Sequence, residues 1–347
     1  MQVADTWLDY LAAHGARIDS VHVRDFGDRD AELDATARGE TIVASLAHLA
    51  SLHFTGEDVV AFLHGQVTAD IVALSPGSAA LGAYCTAKGR MLATFWLARE
   101  TSALTLLLDA QITQAIHKRL AMFVMRSKVK IANQDSTHVA VGVAGRNAEG
   151  VLRHAGITDV PAERKVIRTA QGDAWWCVGP KRFIGLIALD RASELWSSLA
   201  HEGRPVGGDC WRWLDVTAGI PWIGAGTQDE LVPQMVNLEM IDGVSFTKGC
   251  YPGQEIVART QHLGKIKRRM VLAHIDAEPA PHAGDAIFGA DLGDQASGIV
   301  VNAAPAPGGG FDMLAVMHTS TATASSAHLR SLDGPRLALR PLPYANQ

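Results

Sequence analysis

The segment KGCYPGQEIVART, residues 248–260, sets a single cysteine in a glycine-bounded turn ahead of a stretch with helical character. Pro252 suits a first helical position, where a missing N–H costs least, and residues 254–260 continue as a short predicted helix. Cys250 is then expected just before that N-terminus. Free backbone N–H groups, the positive end of the helix dipole and nearby Lys248 would favour thiolate over thiol, which makes Cys250 a candidate reactive thiol. The competing reading is a small buried hydrophobe in a structural loop. Gln254 and Glu255 follow within one helical turn and could position the sulfur or a ligand, although Glu255 could equally do no more than complement the dipole.

The remaining cysteines, Cys85, Cys177 and Cys210, are widely scattered and form no C-x-x-C pair. Neither a local zinc site nor a disulfide framework is indicated, and a reducing cytoplasm is the expected compartment. The fourteen histidines show no H-E-x-x-H spacing, and none is assigned to a metal. A stable iron–sulfur cluster needs more thiolates than the chain offers locally, which leaves a transient contact through Cys250 open. Basic residues cluster at Arg126, Lys128 and Lys130, and again at Lys265, Lys267, Arg268 and Arg269. Solvated strand faces are the default reading of such runs, with a polyanionic partner as the alternative.

A chain of 347 residues suggests two or three domains. Apolar content of 48% and a mean hydropathy near zero describe a globular protein, and a net charge of −5 argues against general nucleic-acid binding. Asp5 and Asp9 precede the first basic residue, Arg17, which is not the order of a signal peptide, and no apolar run reaches membrane-spanning length.

The elements that must position Cys250 follow from periodicity. Val3, Trp7, Leu8, Leu11 and Ala12 share a helical face, and a charge-rich solvated connection is expected up to residue 40. TIVASLAHLASLHF, 41–54, reads as strand material. Thr55 and Asp58 resemble a capping box for a helix carrying Val59, Phe62 and Leu63 and ending at Gly65. Residues 81–108 hold two strand candidates about a turn at Ala87–Gly89, residues 110–125 place Ile112, Ile116, Leu120 and Phe123 on one helical face, and VKIA is a further strand. That order fits a split β-α-β, ferredoxin-like unit. Residues 137–208 repeat it, with strands near 138–143, 165–169, 174–178 and 183–188 and a helix near 191–202. Asp209 could cap a helix carrying Trp211, Leu214 and Ala218, which Gly219 and Pro221 would stop, with a strand as the alternative. Beyond 270 the short runs VLAHI, GIVV, MLAVM and LALR predict a small β-barrel, with PAPGGG, 305–310, as a loop between strands.

With the segments in this order, the chain resembles the YgfZ family, the folate-binding relatives of the glycine-cleavage T protein, an aminomethyltransferase. The resemblance spans roughly residues 45–345 and is carried by FLHGQVTADI (62–71), YCTAKGRM (84–91), RSKVKI (126–131), AGIPWI (218–223) and the signature KGCYPGQEIVAR (248–259). It implies an α+β, GcvT-like three-domain ring: two ferredoxin-like units, a C-terminal barrel and a central folate site. The segmentation expected from it is an N-terminal helix and connection over 1–40, the first part of the folate-binding domain over 41–136, the second ferredoxin-like unit over 137–208, a folate-binding segment with the signature over 209–269, and the barrel over 270–347.

What the resemblance implies about function is a cytoplasmic accessory protein in iron–sulfur cluster assembly or repair, indirectly supporting tRNA modification, with tetrahydrofolate or a derivative as cofactor. Iron–sulfur assembly factors or client iron–sulfur enzymes are the implied partners; direct tRNA binding rests on the basic clusters alone. Trp211 matches a folate-linked tryptophan of the family and offers a flat surface for a pterin or aminobenzoyl ring, against a core-residue reading. Leu49 stands where a second such tryptophan is expected. Gln234, Asn237 and Glu239 could read the pterin's donor and acceptor edge, or simply order a loop. Lys248, Tyr251, Gln254 and Glu255 complete the expected cofactor-binding set, and either basic cluster could meet a glutamate tail. In the aminomethyltransferases an Asp-Asp pair follows a Gly-Gly turn, whereas this chain has Leu92 and Ala93 there. Thr217 replaces a pterin-binding glutamate. Glycine-cleavage chemistry is therefore not expected, and whether the protein is an enzyme stays open between a one-carbon transferase, a thiol-dependent factor and a non-catalytic scaffold.

Overall fold

A computed structural model describes residues 3–263 and 266–344. Lys265 of the second basic cluster lies outside them. The chain divides into two compact units, one of Met1–Phe62, Ile71–Ala80 and Trp96–Trp211, the other of Leu63–Asp70, Leu81–Phe95 and Arg212–Gln347. Among the described residues no helix is long and apolar enough to cross a membrane.

A five-stranded sheet runs in the order Ser78–Cys85, Met91–Arg99, Ala103–Asp109, Leu49–Thr55, Lys130–Asn133. Its last four strands, with the helices Val59–His64 and Ala110–Val124, make the expected split β-α-β unit. Asp109 caps the longer helix by accepting from the Gln111 N–H at 2.8 Å, and Ile112, Ile116 and Leu120 are buried. Phe123 departs from the predicted face: it is 44% exposed, beside exposed Met122 and Met125.

A six-stranded sheet follows the order Val166–Arg168, Ala174–Gly179, Arg182–Ala188, His138–Ala144, Ile42–Ser45, Arg204–Val206. It repeats the unit with one change. Ile42–Ser45 is wedged between His138–Ala144, which it meets antiparallel, and Arg204–Val206, which it meets parallel. The stretch 41–54 is thus two strands in two sheets. The break falls where Leu46 N–H bonds Ala140 O and Leu49 N–H turns back onto Leu46 O. The helices Val3–Ala13, Ala148–His154 and Leu189–Glu202 contribute to one core of this unit through Leu11, Val151, Leu152, Leu195, Trp196 and Leu199. Trp7 joins it with its Nε1–H on Ser45 Oγ at 3.1 Å.

The expected solvated connection before residue 40 is instead folded. It forms a hairpin, Arg17–Asp19 with His22–Asp25, and a helix, Arg29–Ala37. Glu32 is buried in that helix because its carboxylate accepts from Phe26 N–H at 2.6 Å and Gly207 N–H at 2.8 Å. Burial nevertheless holds its pKa above the ordinary carboxylate value, the two backbone donors offsetting part of the rise.

The second unit carries a curled antiparallel sheet, a half-barrel, ordered Ala327–Leu329, Ala286–Gly289, Ala296–Pro305, Phe311–His318, Arg268–Ile275, Ala338–Arg340. The triple glycine of 308–310 makes the turn between the third and fourth of these, all three residues having positive φ. Asp312, 1% exposed, ties the sheet to the helix Gly208–Thr217: it accepts from Trp213 Nε1 at 2.9 Å, His274 Nδ1 at 2.8 Å and Arg340 at 2.9 Å. Asp312→Ala removes a buried acceptor shared by three donors that are themselves partly or largely exposed, and is expected to cost about 1–2 kcal/mol in urea unfolding with an unchanged denaturant slope.

Candidate functional site

Three of the sequence segments that carried the resemblance meet around Lys248 and Gly253 in the second unit. The Lys248 ammonium donates to the carbonyl oxygens of His64, Val67 and Ala69, at 2.5, 2.6 and 3.0 Å, and so closes the turn after the helix Val59–His64. Thr68 adds a second tie, its hydroxyl donating to Gly243 O at 2.7 Å and accepting from Ala83 N–H at 2.8 Å. Gly253 has φ +83°, and a Cβ there would lie 2.4 Å from Thr86 O and 2.6 Å from Gly89 Cα. Only glycine fits so close an approach to the hairpin turn 86–90. The AGIPWI segment joins the same unit through Thr94, whose hydroxyl donates to Pro221 O and accepts from Ile223 N–H.

This arrangement moves the helix start from its expected position. The helix is Gln254–Leu263, entered through Gly253, so Pro252 is not a first helical residue and Cys250 lies four positions before the helix. Its neighbours Lys248 and Tyr251 are buried and it is exposed. Lys248 is 7% and Tyr251 6% exposed, with the ammonium 5.1 Å from the Tyr251 ring centre, a cation–π contact, whereas Gly249 and Cys250 are exposed. Lys248 is therefore committed to three carbonyls and a ring. Gln254 is half-buried and Glu255 exposed in the first helical turn.

Burial governs the electrostatics. It brings the Lys248 pKa down to about 8, with Asp70 opposing, and pushes the Tyr251 phenol well above its usual value. Burial and the Lys248 charge together lower His64, so that imidazole is neutral at pH 7 and its 3.5 Å approach to Asp70 is not an ion pair. Burial also pushes the Cys85 and Cys210 thiols up to about 12 and raises Cys177. Of the four cysteines only Cys250 is exposed. Iodoacetamide at pH 8 is expected to alkylate one thiol rapidly, mapping by mass spectrometry to Cys250, with the other three protected until the chain unfolds.

The expected pterin readers form a second cluster. Arg269 donates to Gln234 O at 2.9 Å, Asn237 Oδ1 at 3.2 Å and Glu239 Oε1 at 2.5 Å. It is a staple, not a solvated cation, whereas Lys267, Arg268, Arg126, Lys128 and Lys130 are exposed, Lys128 pairing with Glu57 at 2.6 Å. Asn237 sits in the left-handed region, φ 56°, and its amide donates to Met270 O. Gln234 donates to Val257 O at 2.7 Å. Two acceptors of this cluster, Gln234 Oε1 and Glu239 Oε2, are buried and have no hydrogen-bond partner among the described residues. Thr217 turns its hydroxyl back onto Trp213 O and Leu214 O of its own helix. Neither Leu92 nor buried Ala93 offers a carboxylate, and the Leu92 carbonyl accepts from Gln228 Nε2 at 2.7 Å.

Trp211 belongs to the first unit and is 0% exposed. Its ring lies against Gly142, where a Cβ would sit 2.4 Å from the indole, and the Arg182 guanidinium carbon is 4.8 Å from its centre. As placed, it presents no open face. Leu49, 6% exposed, lines a cavity of about 330 Å³ in the same unit together with Trp7 of the N-terminal helix. The Lys248 clamp had no signal in the sequence, because its three acceptors are backbone atoms about 180 residues away.

No protein-family model matches the chain. The tRNA-modifying protein YgfZ of Yersinia pseudotuberculosis is 35% identical over 311 residues, covering 87% of this chain and 92% of that protein. Among solved structures, the glycine cleavage system aminomethyltransferase T from Bartonella henselae superposes with a TM-score of 0.81 at 16% identity, covering 98% of this chain and 97% of the other.

Proposed function

This chain belongs to the YgfZ family, and from that membership we propose that it is a folate-binding protein that supports tRNA modification by maintaining iron–sulfur proteins, with Cys250 as its reactive thiol. One observation carries the thiol's part: Cys250 is exposed on a loop whose flanking residues Lys248, Tyr251 and Gly253 are locked in place. A thiol presented by a fixed backbone, with the chain's other thiols buried, suits contact with a client protein or its cluster.

The folate part draws support from the acceptors Gln234 Oε1 and Glu239 Oε2, which are buried without a hydrogen-bond partner among the described residues. Buried acceptors without donors are costly, and the N–H edge of a pterin carries the donors they lack. Asn237 and Arg269 would hold that pair in position. A bound tetrahydrofolate would supply one-carbon carrier chemistry. Aminomethyl transfer is the weaker reading, because Leu92 and Ala93 cannot take or hold a proton where the aminomethyltransferases resembling this chain have carboxylates. The test is complementation: in a bacterial strain lacking its own YgfZ protein, expression of this chain should restore the modified fraction of tRNA read by nucleoside mass spectrometry. Failure of a well-expressed protein to do so would refute the reading.

A further inference from the structure

We infer that His154, His201 and Glu202 form a surface site for one divalent cation of the zinc type. His154 ends the helix Ala148–His154, and His201 and Glu202 end the helix Leu189–Glu202. One ligand atom from each residue falls within 4.8 Å of the other two. The two imidazoles stack with ring centres 5.6 Å apart and planes 21° apart, and His201 Nε2 is 3.9 Å from Glu202 Oε1.

Three features make this more than a chance meeting of surface groups. The backbones beneath are fixed, since Val151 and Leu152 on one helix and Leu195, Trp196 and Leu199 on the other lie in a shared core. Both helices bring their C-terminal ends to the site, and two negative dipole ends favour a cation. Among the described residues, no lysine or arginine forms an ion pair with Glu202, so its carboxylate is not already taken up by a fixed cation. Zinc ligands at about 2.0–2.2 Å from a tetrahedral ion stand about 3.4 Å apart, a distance that small rotations of exposed side chains reach from the present one.

The donor set decides the class of ion. Two imidazole nitrogens and one carboxylate suit Zn²⁺, Ni²⁺ or Cu²⁺, whereas Ca²⁺ and Mg²⁺ require oxygen. Three protein ligands leave a fourth position for water or an incoming group. Sequence spacing gives no sign of the site because the ligands come from helices about 50 residues apart. Its location is independent of Cys250 and of the folate reading.

Calorimetric titration of Zn²⁺ into the full chain tests it, alongside His154→Gln, His201→Gln and Glu202→Gln. All three positions are exposed, and circular dichroism would verify that each variant folds. One saturable equivalent is expected, weakened at least about tenfold by each histidine substitution. The Cys250 thiol is common to parent and variants, so the difference reads the cluster alone. A Co²⁺ spectrum free of sulfur charge-transfer absorption is the second expected result. Unchanged Zn²⁺ binding in the His154→Gln/His201→Gln double variant, absence of binding in the parent, or thiolate absorption that those substitutions leave intact would each overturn the site.

Discussion

Cys250→Ala is expected to fold and express like the parent and to leave tRNA modification, in a strain lacking its own YgfZ protein, at the level of the empty vector. The expectation follows from where the four thiols lie. Cys85, Cys177 and Cys210 are buried, with thiols held in the protonated form by desolvation, so none can substitute for Cys250. Alanine at an exposed loop position removes no packing, and stability should change by no more than about 0.5 kcal/mol. Loss of function without loss of stability is therefore the signature. Cys85→Ala and Cys177→Ala serve as controls that should retain function. A Cys250→Ala protein that restores full modification would show that the loop acts through its shape alone.

Lys248→Met should produce a large stability loss through the loss of side-chain donors in the signature segment. Methionine keeps much of the aliphatic stem but strips the donors from three carbonyls, and a half-satisfied buried cluster costs more than each bond contributes when intact. We expect about 3 kcal/mol, read as a lower urea midpoint at constant slope. Arginine should not rescue it, because its planar fork does not reproduce three donors radiating from one nitrogen. The pH dependence has a definite sign. The folded-state pKa near 8 lies below the ordinary 10.5, so between those values the unfolded chain holds more protons and the contribution of Lys248 rises with pH. The parent's advantage over Lys248→Met is accordingly smallest below about pH 8 and grows towards 10.5. An unchanged midpoint would mean that water satisfies the carbonyls as well as the ammonium does.

What could be read from the sequence was local periodicity. Ile112, Ile116 and Leu120 recur at helical spacing because one face is buried, and the C-terminal apolar runs are short because the curled sheet turns often. What escaped depended on distant partners. The helix Arg29–Ala37 looked solvated since its burial of Glu32 requires the Gly207 N–H, 175 residues on. Likewise, 41–54 reads as undivided strand material because both halves are apolar, and only the Ala140 carbonyl reveals the turn between them. Arg269 sits in a run of basic residues that looks like a solvated face until Glu239 is placed beside it. For the site, Cys250 and Gly253 were conspicuous by type and spacing. The commitment of Lys248 to backbone oxygens, and of Trp211 to the Gly142 groove, was visible only in three dimensions.

The most direct test of the central claim is a calorimetric titration of tetrahydrofolate into the purified full chain under anaerobic conditions. The proposed function predicts saturable binding of one equivalent, with protection of the Arg269 cluster from hydrogen exchange. Absence of heat and of protection at saturating ligand would contradict it, and would leave Cys250 on a loop that works without a folate.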